Sequence, residues 1–232
     1  MSPERLQRLT RLRDERNHAL GDRSGTVGEG EWCIVLRRNP ETGECGWDLL
    51  QWGFVPRWAK DRASPHLHAR AETVHELPTF GESFAHRRCL IFSDRFIEFR
   101  TIGQPKGQEV AFGLATGRSM VVAGIWDAWR NPESGDWLRT FAEITVDAND
   151  LVGEMHDRMP AILPQEAWRI WLGQDPATEL ELRGLLRTFP SELLTCWPAK
   201  QKRPPPGTQR RPNEMRKPRG LAPQSPRQGS LL

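Results

Sequence analysis

The sequence predicts an α+β fold with a mainly antiparallel, barrel-like sheet at its core and a few peripheral helices. Two observations carry that expectation. Seven strand-like runs follow one another through the middle of the 232 residues without helices alternating between them, and the helix signals sit at the two flanks. The runs are "WCIVLRR" (32–38), "WDLLQWGFV" (47–55), "CLIF" (89–92), "FIEF" (96–99), "EVAFGLA" (109–115), "MVVAGIWDAW" (120–129) and "TFAEITV" (140–146). Short turn-rich pieces, "NPETGEC" and "NPESGDW", separate several of them.

The first flank, "SPERLQRLTRLRDERNHALGD", reads as a helix with Ser2 as N-cap, Pro3 at the first helical position and Gly21 as the stop. Two more helices are expected after the strands, "PQEAWRIWL" from Pro164 and "PATELELRGLLR" from Pro176. From Lys200 onward the chain is rich in Pro, Gln and Arg with no apolar period. The expected organisation is therefore a domain over residues 1–199 and a disordered basic tail over 200–232. The tail holds nine Lys or Arg against Glu214. Its net charge is +8, and the whole chain's +3 leaves −5 for residues 1–199. A basic tail fits non-specific nucleic-acid contact or a merely solvated segment, and charge alone does not choose between them.

The four cysteines, Cys33, Cys45, Cys89 and Cys196, are scattered without a CxxC pair, so neither a zinc knuckle nor a disulfide framework is indicated. No stretch resembles a signal peptide or a membrane span, and the expectation is a reduced, cytoplasmic protein without membrane partners.

Three polar clusters interrupt the apolar runs. "SPHLHARAETV" contains His66, His68, Arg70 and Glu72; "SDRFIEFR" sets Glu98 among Phe96, Ile97 and Phe99; "EMHDRMPAIL" carries His156, Asp157 and Arg158. On a strand Glu98 shares a face with Phe96. If that face is inward, desolvation raises the carboxyl pKa and suits it to general-acid work; if outward, Glu98 is an ordinary solvated side chain. His66 and His68 alternate as two metal ligands could, but no third ligand stands at a convincing spacing, and no cofactor or metal is expected. Cys89 leads an apolar run and reads as a buried small hydrophobe. No G-x-S-x-G elbow, Ser-His-Asp arrangement or Gly-rich phosphate loop is present.

Taken in order, "LQWGFVPRWAKD", "HARAETVHELPTFGESFAHRRCLIFSDRFIEFR", "VVAGIWDAW" and "ITVDANDLVGEMHDRMPAILPQEAWRIWL" resemble the SOS response-associated peptidase (SRAP) family, from about Trp47 to about Pro198. That family contains abasic-site shielding proteins, and the resemblance implies a monomer acting on single-stranded DNA that contains abasic sites, nucleoid-associated when bound. In the family an N-terminal cysteine, exposed by loss of Met, closes a thiazolidine on the abasic aldehyde, chemistry at once peptidase-like, hydrolytic and lyase-like. The resemblance makes Glu98 and His156 the proton-transfer residues and Arg70 and Arg158 the phosphate contacts. Trp58 resembles an aromatic of the DNA surface, where Phe99 and His68 also belong.

Four departures accompany the likeness. The family opens Met-Cys-Gly-Arg-Phe where this sequence has "MSPERLQRL", so the nucleophile is absent. His68-Ala69-Arg70 stands where the family has Asn-Ala-Arg, and segments of the types R-Y-N-x-A-P and V-N-x-V-R-N are replaced. A chain opening at a helix cap fits a start codon placed after the family's first strand. The other three departures favour a divergent member with weak or absent crosslinking. The alternative is a non-catalytic single-stranded DNA-binding module.

Overall fold

The computed structural model describes residues 3–19, 27–99 and 109–212. Its first helix, α1 (Pro3–Ala19), carries Glu4 in the first turn and Arg16 and His18 in the last, the order that the helix dipole favours. The Ser2 cap and the Gly21 stop lie outside the described residues. Asn17 ties α1 to the sheet: its side chain accepts from the Trp32 N–H at 2.7 Å and donates to the Trp32 carbonyl at 3.0 Å.

Strand β1 (Trp32–Arg38) turns into β2 (Cys45–Trp52) through "NPETGE". The Asn39 side chain accepts from the Glu41 N–H at 3.0 Å, and Gly43 supplies a φ of +73°. The same device joins β7 (Met120–Arg130) to β8 (Trp137–Asp147), where Asn131 accepts from Glu133 at 2.9 Å and Gly135 has φ +77°. β2 ends at Trp52, short of the expected residue 55, because Gly53 takes a φ of +122° that side chains disfavour and turns the chain aside.

With β4 (Arg88–Ser93), these strands run β2-β1-β4-β7-β8 as antiparallel neighbours. Parallel pairing of Gln51 with Thr140 and of Trp52 with Phe141 then closes them into a barrel. The fold is thus α+β with a barrel core, as expected, but its closure is parallel. Two short strands without a clear periodic signal extend β8: β3 (His68–Arg70) in parallel and β9 (Arg158–Pro160) antiparallel. A second sheet, in the order β10-β6-β5, joins β5 (Phe96–Phe99), β6 (Glu109–Leu114) and β10 (Leu194–Pro198), with Phe96 stacked on Phe112 at 5.1 Å.

Short helices α2 (Gly81–His86), α3 (Trp168–Trp171) and α4 (Glu179–Leu185) pack outside. The helix expected from Pro164 is a 3-10 turn, Gln165–Ala167, leading into α3. The one expected from Pro176 starts later because Thr178 caps it: its hydroxyl accepts from the Glu181 N–H at 3.2 Å, and the Glu181 carboxylate accepts from the Thr178 N–H at 2.7 Å. Fully buried Phe54, Phe84, Phe141 and Trp171 anchor the core, with the Trp171 indole donating to the Cys89 carbonyl at 3.0 Å. Cys89 itself is buried among apolar neighbours.

Contacts continue past residue 199, the boundary expected from composition. Arg203 lies over the Trp197 ring at 5.4 Å and donates to the carbonyls of Asp94 (3.3 Å), Gly117 (3.3 Å) and Leu114. The Gly207 N–H donates to Ala115 at 2.9 Å, and Arg211 pairs with Glu154 at 3.6 Å. Residues 213–232, the remainder of the expected tail, lie outside the described residues.

Candidate active site

The expected residues come from β3, β5, the segment linking β8 to β9 and the start of β9, with Trp58 alone in the turn that follows β2. That segment begins with Asn149, whose side-chain oxygen accepts from the N–H groups of Leu151 (3.1 Å) and Val152 (2.9 Å) while its amide donates to the Phe189 carbonyl (2.7 Å). A 3-10 turn, Val152–Glu154, follows, and the His156 N–H donates back to Val152 at 3.1 Å. The His156 ring is thereby held half-exposed. Its Nδ1 lies 3.0 Å from the Arg158 N–H, which donates to it, and 3.3 Å from the Arg158 carbonyl. Asp157 Oδ1 stands 3.2 Å from the same Nδ1.

Glu98 sits mid-β5, partly buried. Burial pushes its carboxyl up to about 7; the charge of His156 opposes that rise and Asp157 adds to it. His68 keeps solvent contact at the mouth of the site, with its ring edge-on to Trp52 at 5.6 Å. The protein crowded around that ring lowers its basicity, and the charge of His156 lowers it further. Glu98 and His68 therefore each sense the charge of His156, which links three chain segments.

Sequence reasoning missed one member of this group. Glu143 of β8 pairs in register with His68 of β3 on one side and with Gly124 of β7 on the other. Its carboxyl too is pushed up to about 7, by burial first and then by the charge of Glu98. In "TFAEITV" it looks like the polar half of an ordinary alternating strand, and only barrel closure turns that half inward. Asn149 was likewise missed, although an Asn placed just before an apolar pair is a recognisable turn-former.

The two arginines behave differently. The Arg158 guanidinium forks onto Glu72 (3.0 and 2.8 Å), meets Asp147 at 2.5 Å and donates to the Thr145 carbonyl at 2.7 Å. Burial would raise the Glu72 carboxyl, but the hydrogen bonds and charge of Arg158 outweigh it and hold Glu72 below the usual range. A phosphate at Arg158 would compete with two carboxylates. Arg70 is exposed and, among the described residues, its guanidinium has no hydrogen bond or ion pair. Trp58 and Phe99 are 62% and 61% exposed. His66 turns to Phe80, ring centroids 5.3 Å apart, and His68 to Trp52. Among the described residues no group of three or more His, Cys, Asp or Glu is arranged to hold a metal ion.

This constellation on a closed mixed barrel defines a protein class, and the family model for SOS response associated peptidase (SRAP) matches residues 1–202. The chain belongs to that family. The abasic site processing protein YoqW of Bacillus subtilis is 33% identical over 150 residues, covering 64% of this chain and 66% of the relative. HMCES of Xenopus tropicalis, also called an abasic site processing protein, is 27% identical over 189 residues, covering 70% of this chain and 55% of the relative. The chain thus spans about two thirds of the one and about half of the other. A crystal structure of a Bacteroides thetaiotaomicron protein superposes with a TM-score of 0.64 at 25% identity, covering 80% of this chain and 88% of that one. One from Bordetella bronchiseptica gives 0.64 at 26%, covering 77% and 90%.

Proposed function

We propose that this protein processes abasic sites in DNA, taking them in single-stranded form. The observation that supports this most directly is a carboxyl, Glu98, poised near neutrality under the charge of His156, which also reaches His68, while Arg70, Trp58 and Phe99 stay exposed. Two relatives named for abasic site processing point the same way.

An abasic deoxyribose is a cyclic hemiacetal. Opening it moves one proton onto the ring oxygen as the bond from the anomeric carbon breaks, and removes one from the anomeric hydroxyl; the product is the aldehyde. Atoms balance without a further reagent. A carboxyl near its pKa gives a proton through one oxygen and takes one through the other, which is the role of Glu98. His156, half-exposed, donates a ring hydrogen bond to a sugar oxygen. His68 stands where the family has an amide. Because its environment disfavours the charged ring, it offers one donor and one acceptor, much as an amide does. Arg70 takes a phosphate, and Trp58 and Phe99 offer faces for unpaired bases.

A thiazolidine needs the amine and thiol of an N-terminal cysteine, and all four cysteines of this sequence are internal. Burial pushes the Cys33 thiol up to about 12, which suppresses its thiolate. These four thiols are therefore expected to form no thiazolidine, and the step expected of Glu98 is ring opening of the abasic sugar. The test is the rate at which an alkoxyamine traps aldehyde on an abasic single strand. The native protein should accelerate trapping, and Glu98→Gln should lose about 10²-fold of that effect. No acceleration and no preference for abasic over intact strands would overturn the reading. Binding without acceleration would leave the non-catalytic single-strand-binding module instead.

A further inference from the structure

Arg158 belongs to two parts of the site at once. Its backbone N–H donates to His156 Nδ1 at 3.0 Å, and its guanidinium forks onto Glu72, at 3.0 and 2.8 Å, in the turn that follows β3. That turn is built on the Arg70 carbonyl, which accepts from the N–H groups of Thr73 (3.2 Å) and Val74 (2.9 Å). Arg70 and Glu72 therefore leave one turn, two residues apart. β8 holds both segments from between them: the Thr145 carbonyl accepts from the Ala71 N–H at 2.9 Å and from the Arg158 guanidinium at 2.7 Å. Thr145 is in register with Arg70 of β3 on one side and with Pro160 of β9 on the other.

Three acceptors hold the guanidinium, and they are not equal. Asp147 is the cross-strand neighbour of Arg158, and its side chain is 81% exposed, so water screens that pair. The Thr145 carbonyl carries no net charge. Glu72, half-exposed, brings a full charge from outside the β8–β9 pair and meets two guanidinium nitrogens in parallel. Such a fork fixes the plane of the guanidinium as well as its position. The Arg158 side chain is only 14% exposed, and its Nε is buried with no acceptor among the described residues. With the fork gone, a guanidinium left with a buried, unbonded Nε gains by turning toward water. That turn pulls on β9, a strand of three residues whose first N–H holds the His156 ring.

We propose that Glu72 is a positioning residue of this site, bracing the His156 ring through Arg158 and setting, through its own turn, the distance from that ring to Arg70. In the reaction proposed above His156 meets the abasic sugar and Arg70 a phosphate of the same strand. Glu72 thus fixes the spacing of the sugar and phosphate contacts without touching DNA itself. The role deepens that reading of His156 and Arg70, and rests on it.

The His156 ring reports the brace without DNA. Nitrogen NMR of the full chain, labelled at histidine, gives its two ring nitrogens, assigned by their loss in His156→Ala. In the alkaline range, where an imidazole is neutral, the native ring should show one tautomer and Glu72→Ala the averaged shifts of both. Arg158→Lys should do the same, because an ammonium cannot make the paired fork, and it decides the matter should Glu72→Ala not fold. Aldehyde trapping on an abasic single strand adds a double-mutant cycle. Glu72→Ala should slow trapping about tenfold in the native background and less than about twofold in the His156→Ala background. Equal losses in both backgrounds, or ring nitrogens unchanged in both variants, would overturn the role. Altered nitrogens in a protein that does not accelerate trapping would support the brace and sink the functional reading; unaltered nitrogens in one that does would sink the brace alone.

Discussion

Replacing Glu143 with Gln should flatten the pH dependence of stability, and the size of the effect follows from where the side chain sits. In the folded protein the carboxyl releases its proton at about 7, against an ordinary 4.5. Between those values the folded state binds more protons than the unfolded chain, so stability falls as pH rises through that window, and the penalty is complete above it. At about 1.4 kcal/mol per pH unit the span amounts to ~3 kcal/mol, and the solvent contact of a half-buried group reduces the expectation to about 2 kcal/mol. Near pH 5 a neutral carboxyl and a neutral amide fill the same space, and the variant and native protein should differ little. Near pH 8 the variant should be the more stable by about 2 kcal/mol, roughly a 1 M rise in urea midpoint for a protein of this size. Urea unfolding at a series of pH values measures the difference directly. A difference that stays constant across the series would refute the assignment of an inward, poorly compensated carboxylate at this position.

Asp127 is buried between Arg57 and Arg87, each with a guanidinium nitrogen at 3.1 Å, and accepts from the N–H groups of Arg57 (2.9 Å) and Ala128 (2.8 Å). Asp127→Ala removes one of two carboxylates from the buried Arg87, which keeps Glu82 at 2.9 Å, and should cost about 1 to 3 kcal/mol, read by thermal or urea melts. Gly124→Ala drives a methyl against Ile91 and Cys89 and should destabilise by about 1 to 3 kcal/mol; a neutral result would contradict the β4–β7–β8 register. Arg158→Ala leaves Glu72 and Asp147 unpaired and should lower stability by about 1 kcal/mol. Arg70→Ala should leave the melt within about 0.5 kcal/mol of native but reduce the salt slope of single-strand binding by about 0.7.

The strands were legible because alternation and turn chemistry agree: Asn39 with Gly43 and Asn131 with Gly135 mark their hairpins as plainly in the sequence as in the structure. What closes the barrel was not legible. The contact between β2 and β8 is two parallel pairs between residues far apart in the chain, and no local pattern encodes it. That gap hid Glu143, because period-two alternation says which residues share a face but not which face is inside. Glu98 and His156 were singled out through the order of the motifs, and nothing local in "FIEF" distinguishes an inward carboxylate from an outward one. The carboxylates that meet Arg158, Glu72 and Asp147, come from other segments, so the stretch around His156 gives no sign of them.

The segment that composition marks as expendable has a bearing on how any assay of this protein is set up. Of the basic side chains past residue 199, Arg203 is committed to backbone carbonyls of the second sheet, and Arg211 reaches Glu154 in the turn just ahead of His156. They act as a clasp, not as a loose polycation. Trimming the chain at Lys200 to make it tidier would unfasten the second sheet and slacken the loop that carries His156. A loss of DNA processing after such trimming would then say nothing about whether the removed residues ever touch DNA.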